Sequence, residues 1–237
     1  MLKLGTIPKD AFKPFFGFAS LFYKGVELHL EKDKMWLCAV DASNTLMIHS
    51  TLHIPIEQDP INVKIDIDEI TKISPKSDIN FFYEENFITF SIDGELTYRQ
   101  RLMTDPKIRT SPFPKEMKLP VSITVPQEKI GKILELLTNL TSKKDTSEKV
   151  YLIVKDGQFI VENLEKTREY KPTDIIIEGT EANSLFSPDL LIDCLSHYKH
   201  FDTFHMKLGI NNPFVMTLTN KYMTTMTLAA PRIPDED

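Results

Sequence analysis

The chain carries one pattern twice, and that repeat limits its fold more than anything else in its 237 residues. Ile7-Pro8-Lys9-Asp10 leads into apolar positions Phe12, Phe15, Phe16, Ala19 and Phe22; Val125-Pro126-Gln127-Glu128 leads into Ile130, Ile133, Leu134, Leu137 and Leu140. Both sets have helical spacing, and each follows a short alternating strand, residues 1–7 and 121–125. Pro126 fits a first helical position. Pro14 fits a helix badly, so either the first helix begins late, near Lys13, or its first turn is distorted. A second pair follows. Residues 62–66 open a short helix carrying Ile67, Ile70 and Ile73, with Asp66 as a candidate cap. Residues 183–187 open another carrying Leu190, Leu191, Cys194, Leu195 and Tyr198, with Ser187 as N-cap and Pro188 first in the helix.

Three strands close each half: residues 79–84, 87–92 and 95–103 in the first, 204–208, 214–219 and 223–229 in the second, joined by tight turns such as Asp93-Gly94. Further strands are expected at 26–30, 34–40 and 45–52, and at 150–154, 158–162 and 167–171. Each half therefore reads strand, helix, three strands, short helix, three strands. Residues 104–119 hold Pro106, Pro112 and Pro114 among charges, the mark of an extended connector. The expected fold class is α+β, with one domain over 1–103, a connecting loop over 104–119 and a second domain over 120–237. Two helices per half should cover one face of an antiparallel sheet.

Composition narrows the chemistry. No apolar run reaches the roughly 20 residues of a membrane-spanning helix, and residues 1–5 lack the basic and long apolar regions of a secretory signal. Two cysteines, Cys38 and Cys194, lie in apolar patterns that point to buried packing, which suits a reducing intracellular compartment. No glycine-rich nucleotide loop and no serine nucleophile motif occurs, and no cofactor is expected. The only cluster with catalytic or metal-binding potential is His197, His200 and His205 with Asp193. It lacks the glutamate between paired histidines that a metalloprotease helix carries. Solvated histidines are the plainer reading, and a metal-dependent enzyme is the alternative of another class. The net charge of −6 argues against a protein that grips nucleic acid through counterion release.

Three stretches add a resemblance. Val40-Asp41-Ala42-Ser43-Asn44, Phe186-Ser187-Pro188-Asp189-Leu190-Leu191-Ile192-Asp193 with Asp202, Lys207 and Gly209 after it, and Ala229-Ala230-Pro231-Arg232-Ile233 before an acidic tail resemble the archaeal and eukaryotic DNA sliding clamps, the proliferating cell nuclear antigen family. The layout matches over nearly the whole chain, most specifically in the last third. The resemblance implies a duplicated clamp fold: three two-domain subunits closed head to tail into a pseudo-six-fold ring, helices lining the hole and sheets outside. Such a contact avoids fibre growth only because the rotation closes. It implies edge-strand pairing between subunits, at about 95–103 of one and 167–171 of the next. It also implies no enzymatic activity but a processivity factor, DNA-associated inside the cell. The ring would encircle double-stranded DNA without regard to sequence and tether a DNA polymerase, clamp loader, flap nuclease and ligase through short peptide motifs. A homotrimer is expected first. The alternatives are a subunit of a heterotrimeric, checkpoint or viral clamp, and a scaffold that never encircles DNA.

Two surfaces follow from the resemblance. The DNA-facing lining would use Lys9, Lys13, Lys72, Lys76, Lys129, Lys132, His197 and His200; the plain alternative is an ordinary solvated helix face. Glu128 and Glu135 intrude, and the position where the family is basic on its last helix is Ser196 here, so the lining is only weakly basic. The partner pocket would use Val40, Asn44, Met47, Pro213, Leu228, Ala230 and Pro231, with Ile108, Phe113 and Met117 from the connector. Its plain alternative is core packing.

Overall fold

Six phenylalanines organise the first half of the chain. Phe12, Phe15, Phe16 and Phe18 are buried on one helix, where Phe12 and Phe16 meet Phe90, itself beside Phe81 in a sheet, all six with no exposed surface. Phe12 meets Phe16 edge to face at 5.0 Å between ring centres, and Phe90 at 6.0 Å. The computed structural model describes residues 1–20, 25–40, 45–57, 61–94, 96–103, 117–141 and 149–232. Phe22, Asn44, Ile108, Phe113 and the expected connector apart from 117–119 lie outside them.

Two compact units emerge, Met1–Phe113 with Asn220–Thr225, and Pro114–Thr219 with Met226–Asp237. The first runs β1 (Leu2–Ile7), α1 (Lys9–Ser20), β2 (Gly25–Glu31), β3 (Lys34–Val40), β4 (Leu46–Leu52), β5 (Ile61–Asp66), a 3-10 turn (Ile70–Lys72), β6 (Ile79–Glu84), β7 (Phe87–Ile92) and β8 (Leu96–Arg101). One antiparallel sheet has the order β1-β6-β7-β8, and a second holds β4-β3-β2-β5. Alternation sends Leu28 and Leu30, Met35 and Leu37, and Ile48 and Leu52 to the core. The opening residues of β17 (Met223–Ala229) take the place beside β4 in this unit. There the Ser50 and Thr225 hydroxyls share a buried hydrogen bond of 3.0 Å, and the His53 N–H donates to the Tyr222 carbonyl at 2.8 Å.

The second unit runs β9 (Val121–Val125), α2 (Gln127–Thr141), β10 (Val150–Lys155), β11 (Gln158–Asn163), β12 (Glu169–Tyr170), β13 (Ile176–Glu178), β14 (Ala182–Phe186), α3 (Pro188–Leu195), a 3-10 turn (Tyr198–His200), β15 (Thr203–Leu208), β16 (Phe214–Thr219) and the remainder of β17. Its sheets are β12-β11-β10-β14 and β13-β9-β15-β16-β17. The duplication is visible in the strand orders. β1-β6-β7-β8 matches β9-β15-β16-β17, and β5-β2-β3-β4 matches β14-β10-β11-β12.

Several expectations need correction. The lead-ins to the two short helices are strands, β5 and β14, because Val63, Ile65 and Ile67 alternate inward with period two. The first short helix is only the 3-10 turn at Ile70–Lys72. Asp66 accepts from the Asp68 N–H at 2.9 Å, stabilising the approach to that turn rather than capping it. Of the two alternatives for Pro14, the late start does not hold. The helix starts at Lys9, with Phe12 N–H donating to the Pro8 carbonyl at 3.1 Å, and Pro14 sits buried inside it. Burial of the phenylalanine stripe outweighs the roughly 3 kcal/mol that an interior proline costs. Ser187 stands at the N-cap of α3 with extended backbone but without a side-chain cap bond. The strand expected over 167–171 shrinks to Glu169–Tyr170 because the buried Asn163 shapes the bend before it, accepting from the Arg168 N–H at 2.8 Å and donating to Thr167 Oγ1 at 3.0 Å.

Candidate nucleic-acid and partner surfaces

The expected basic positions divide by their partners. Lys9 and Lys13 are exposed on the face of α1 opposite its phenylalanines, and Lys132 is exposed on α2. No ion pair reaches these three among the described residues. Lys72 is different. Its ammonium donates to Glu69 Oε1 at 2.6 Å, and this bond holds its pKa above the ordinary lysine value. It remains charged, but its charge is largely cancelled locally. The Lys76 N–H donates to the Asp93 carboxylate at 3.0 Å, so this segment is tied to the β7–β8 turn. Lys129 turns aside: only 17% of its side chain is exposed, with Asp174 at 3.6 Å and Thr173 Oγ1 at 3.5 Å.

In the second unit α3 ends at Leu195, so His197 and His200 do not share its polar face as expected. They lie in the turn beyond it, ring centres 6.2 Å apart. Gln127, first residue of α2, holds that turn. Its side-chain amide donates toward the carbonyls of Tyr198, Lys199 and Phe201 at 3.4, 3.2 and 3.2 Å. Gly131, one helical turn on, leaves room for Tyr198; a Cβ there would stand 3.0 Å from its hydroxyl. The exposed Lys199 thus lies alongside α2. Sequence reasoning passed over it because residues 196–200 read as the tail of a longer helix. Asp193, half-buried on α3, has its carboxyl pKa pushed up by desolvation and by Asp189. His205 pairs through Nδ1 with Thr124 Oγ1 at 3.1 Å on β15. Among the described residues no group of three His, Cys, Asp or Glu is placed to hold a metal ion. Both cysteines are buried, and burial pushes the Cys194 thiol pKa far up.

The expected partner residues are described unit by unit. In the first, Val40 and Met47 are cross-strand partners on β3 and β4, Val40 buried at 3% exposure and Met47 half-buried. In the second, Leu228 lies near the end of β17, and Ala230 and Pro231 follow it, all half-buried, as are Pro213 before β16 and Met117. The Arg232 N–H donates to the Leu185 carbonyl at 2.7 Å, tying the end of this segment to β14.

Searches with the sequence find no matching family profile and no matching curated protein. Comparison of the structure does find likeness. The proliferating cell nuclear antigen of A. fulgidus, solved with the C-terminal region of FEN-1 bound, matches with a TM-score of 0.82 at 19% identity over 100% of both chains. The PCNA2–PCNA3 complex of Sulfolobus tokodaii matches with 0.79 at 15%, covering 98% of this chain and 99% of that one. The Entamoeba histolytica antigen matches with 0.80 at 12%, with the same coverage. Likeness that persists over the whole length while identity falls this low is likeness of fold, and the chain has the duplicated α+β fold of the proliferating cell nuclear antigen sliding clamps.

Proposed function

We propose that the chain is a subunit of a ring-shaped sliding clamp that encircles duplex DNA and tethers replication and repair enzymes to it, acting as a tether rather than a catalyst. The observation that carries this reading is the full-length match to a clamp solved with a nuclease segment bound. The strand orders lend support. In the first unit β4 is covered by the start of β17, whereas β12, its counterpart in the repeat, ends its sheet, as does β8, the counterpart of β17. Two open edges of matching rank suit a head-to-tail contact between copies, β8 of one with β12 of the next.

In this reading Lys9, Lys13, Lys76, Lys132 and the turn bearing His197, Lys199 and His200 approach the phosphates, while Lys72 and Lys129, each beside a carboxylate, contribute less. The weak net basicity fits a ring that holds DNA by closure and slides. Val40, Met47, Pro213, Leu228, Ala230 and Pro231 receive the anchors of client peptides, and tethering raises each client's local concentration at DNA. The domains follow the repeat, 1–103 and 120–237, about a connector at 104–119. The Sulfolobus tokodaii neighbour is a complex of two different subunits, which favours a heterotrimeric ring as the second reading.

Sedimentation of the purified chain separates the two. A species of three times 27.3 kDa is expected for a homotrimer, whereas a stable monomer points to other subunits. Loading onto nicked circular DNA then tests encirclement: the clamp should stay on the circle and be lost when the circle is cut. For the partner surface, Met47→Glu should abolish binding of a flap-nuclease C-terminal peptide, and retained affinity would reject that assignment.

A further inference from the structure

The first unit carries a stack of rings that neither DNA nor client binding explains. On the face of β2, β3 and β4 turned from the core, His29 lies flat on Trp36, ring centres 3.7 Å apart and planes 2° from parallel. His49, on β4, tilts against the same indole at 5.2 Å. His29 and Trp36 are directly opposed across β2 and β3, and Cys38 and His49 across β3 and β4. The indole is pinned in plane because its Nε1–H donates to Glu31 Oε1 at 2.8 Å. The Nε2 of His29 is buried and has no hydrogen-bond partner among the described residues.

We propose that His29, Trp36 and His49 form a proton-sensitive brace across β2, β3 and β4, stacked when the imidazoles are neutral and loosened when they are protonated. A proton on His29 Nε2 would be a buried donor without an acceptor in bonding distance among the described residues. Protons on both rings would set two cations close together around one indole, and their mutual repulsion opposes the second proton. The charged neighbours do not undo this. Glu27 and Glu31 on β2, and the side chain of Asn62 on β5, favour a charged His29, but desolvation is the larger effect and lowers its pKa. Desolvation also lowers that of His49, helped by Lys34 and by His29 itself. On β5, Lys64 stands opposite Glu27 and Asp66 opposite Gly25. The sign follows from linkage. Histidines with folded pKa values below the ordinary 6.5 leave the fold stable above that value, and stability declines as pH falls below it. Because β3 and β4 also carry Val40 and Met47, acid should weaken client binding too, a consequence that rests on the proposed function.

The chain has one tryptophan, so its fluorescence reads the stack directly. Emission of the intact protein should fall as pH is lowered from about 8 to about 5, with a midpoint below that of a free histidine. His29→Gln and His49→Gln should each remove part of the change and the double variant all of it. A flat wild-type profile, or an unchanged profile in the double variant, overturns the brace. The thermal midpoint should drop more for wild type than for the double variant across the same range, and equal drops also overturn it. Affinity for the flap-nuclease peptide should fall severalfold in acid for wild type alone; a parallel fall in the double variant overturns the link to clients. No peptide binding even at neutral pH would speak against the proposed function and leave the brace standing on its own two measurements.

Discussion

At the scale of single residues, glycines separate permissive turns from positions that admit nothing else. Gly94 and Gly157 have φ of +74° and +71° with open space where a Cβ would go, while Gly179 has φ of +102° and a Cβ there would collide with the Pro120 carbonyl oxygen. Gly94→Ala should therefore cost about 1 kcal/mol of left-handed strain. Gly179→Ala should cost roughly 3 kcal/mol or more, since backbone must also move; urea denaturation of the two variants measures the difference. Asp93 acts on a larger neighbourhood. Its carboxylate accepts from the Ser77 hydroxyl at 2.8 Å and from the N–H groups of Ser77 and Lys76 at 2.7 and 3.0 Å. These bonds, the Ser77 hydroxyl first, hold its pKa below the ordinary 3.8. Stability from a carboxylate with a lowered folded pKa is present above its unfolded value and disappears as pH falls through the folded one. Asp93→Asn should be less stable than wild type at neutral pH, and the gap should close as pH falls below the ordinary carboxylate value of 3.8. A gap that stays constant with pH would remove the carboxylate from the account.

At the scale of elements, helical stripes were legible and helical extent was not. Of the α2 positions its spacing predicts, Ile130, Ile133, Leu137 and Leu140 are buried and Leu134 is half-buried. Residues 62–66 misled because Val63 and Ile65 of β5 run on into Ile67 and Ile70, a series that changes from period two to period three without punctuation. The same holds for residues 196–200, where a 3-10 turn replaces the helix tail and is held by Gln127 from an element about 70 residues earlier. Local pattern also could not rank the lysines, because the ranking depends on which carboxylates stand nearby. Lys13→Ala and Lys132→Ala should each lower the slope of log affinity against log salt by about 1 on short linear DNA. Lys72→Ala should lower it less, since Glu69 already answers that charge. Equal effects in an anisotropy titration would reject the ranking.

At the scale of the whole molecule, the proposed head-to-tail contact rests on two sheet edges. The Leu102 N–H donates to the Asn86 carbonyl at 2.7 Å, so by antiparallel alternation the N–H groups of Thr97, Arg99 and Arg101 point away from β7. Thr97→Pro should remove an outward donor while sparing the β7–β8 ladder. A monomer with unchanged circular dichroism is expected, and a persistent trimer would exclude β8 from the contact. The amino-acid sequence by itself determined the duplication, the bulk of the strands and the apolar stripes, because these are periodicities that a chain shows within a few residues. Only the tertiary structure decided that Pro14 stays inside α1, that Lys129 turns to Asp174, that two histidines clasp Trp36 and that β8 and β12 end their sheets. Each of those depends on which groups meet across neighbouring elements, several of them far apart in the chain, and neither spacing nor composition encodes which group arrives.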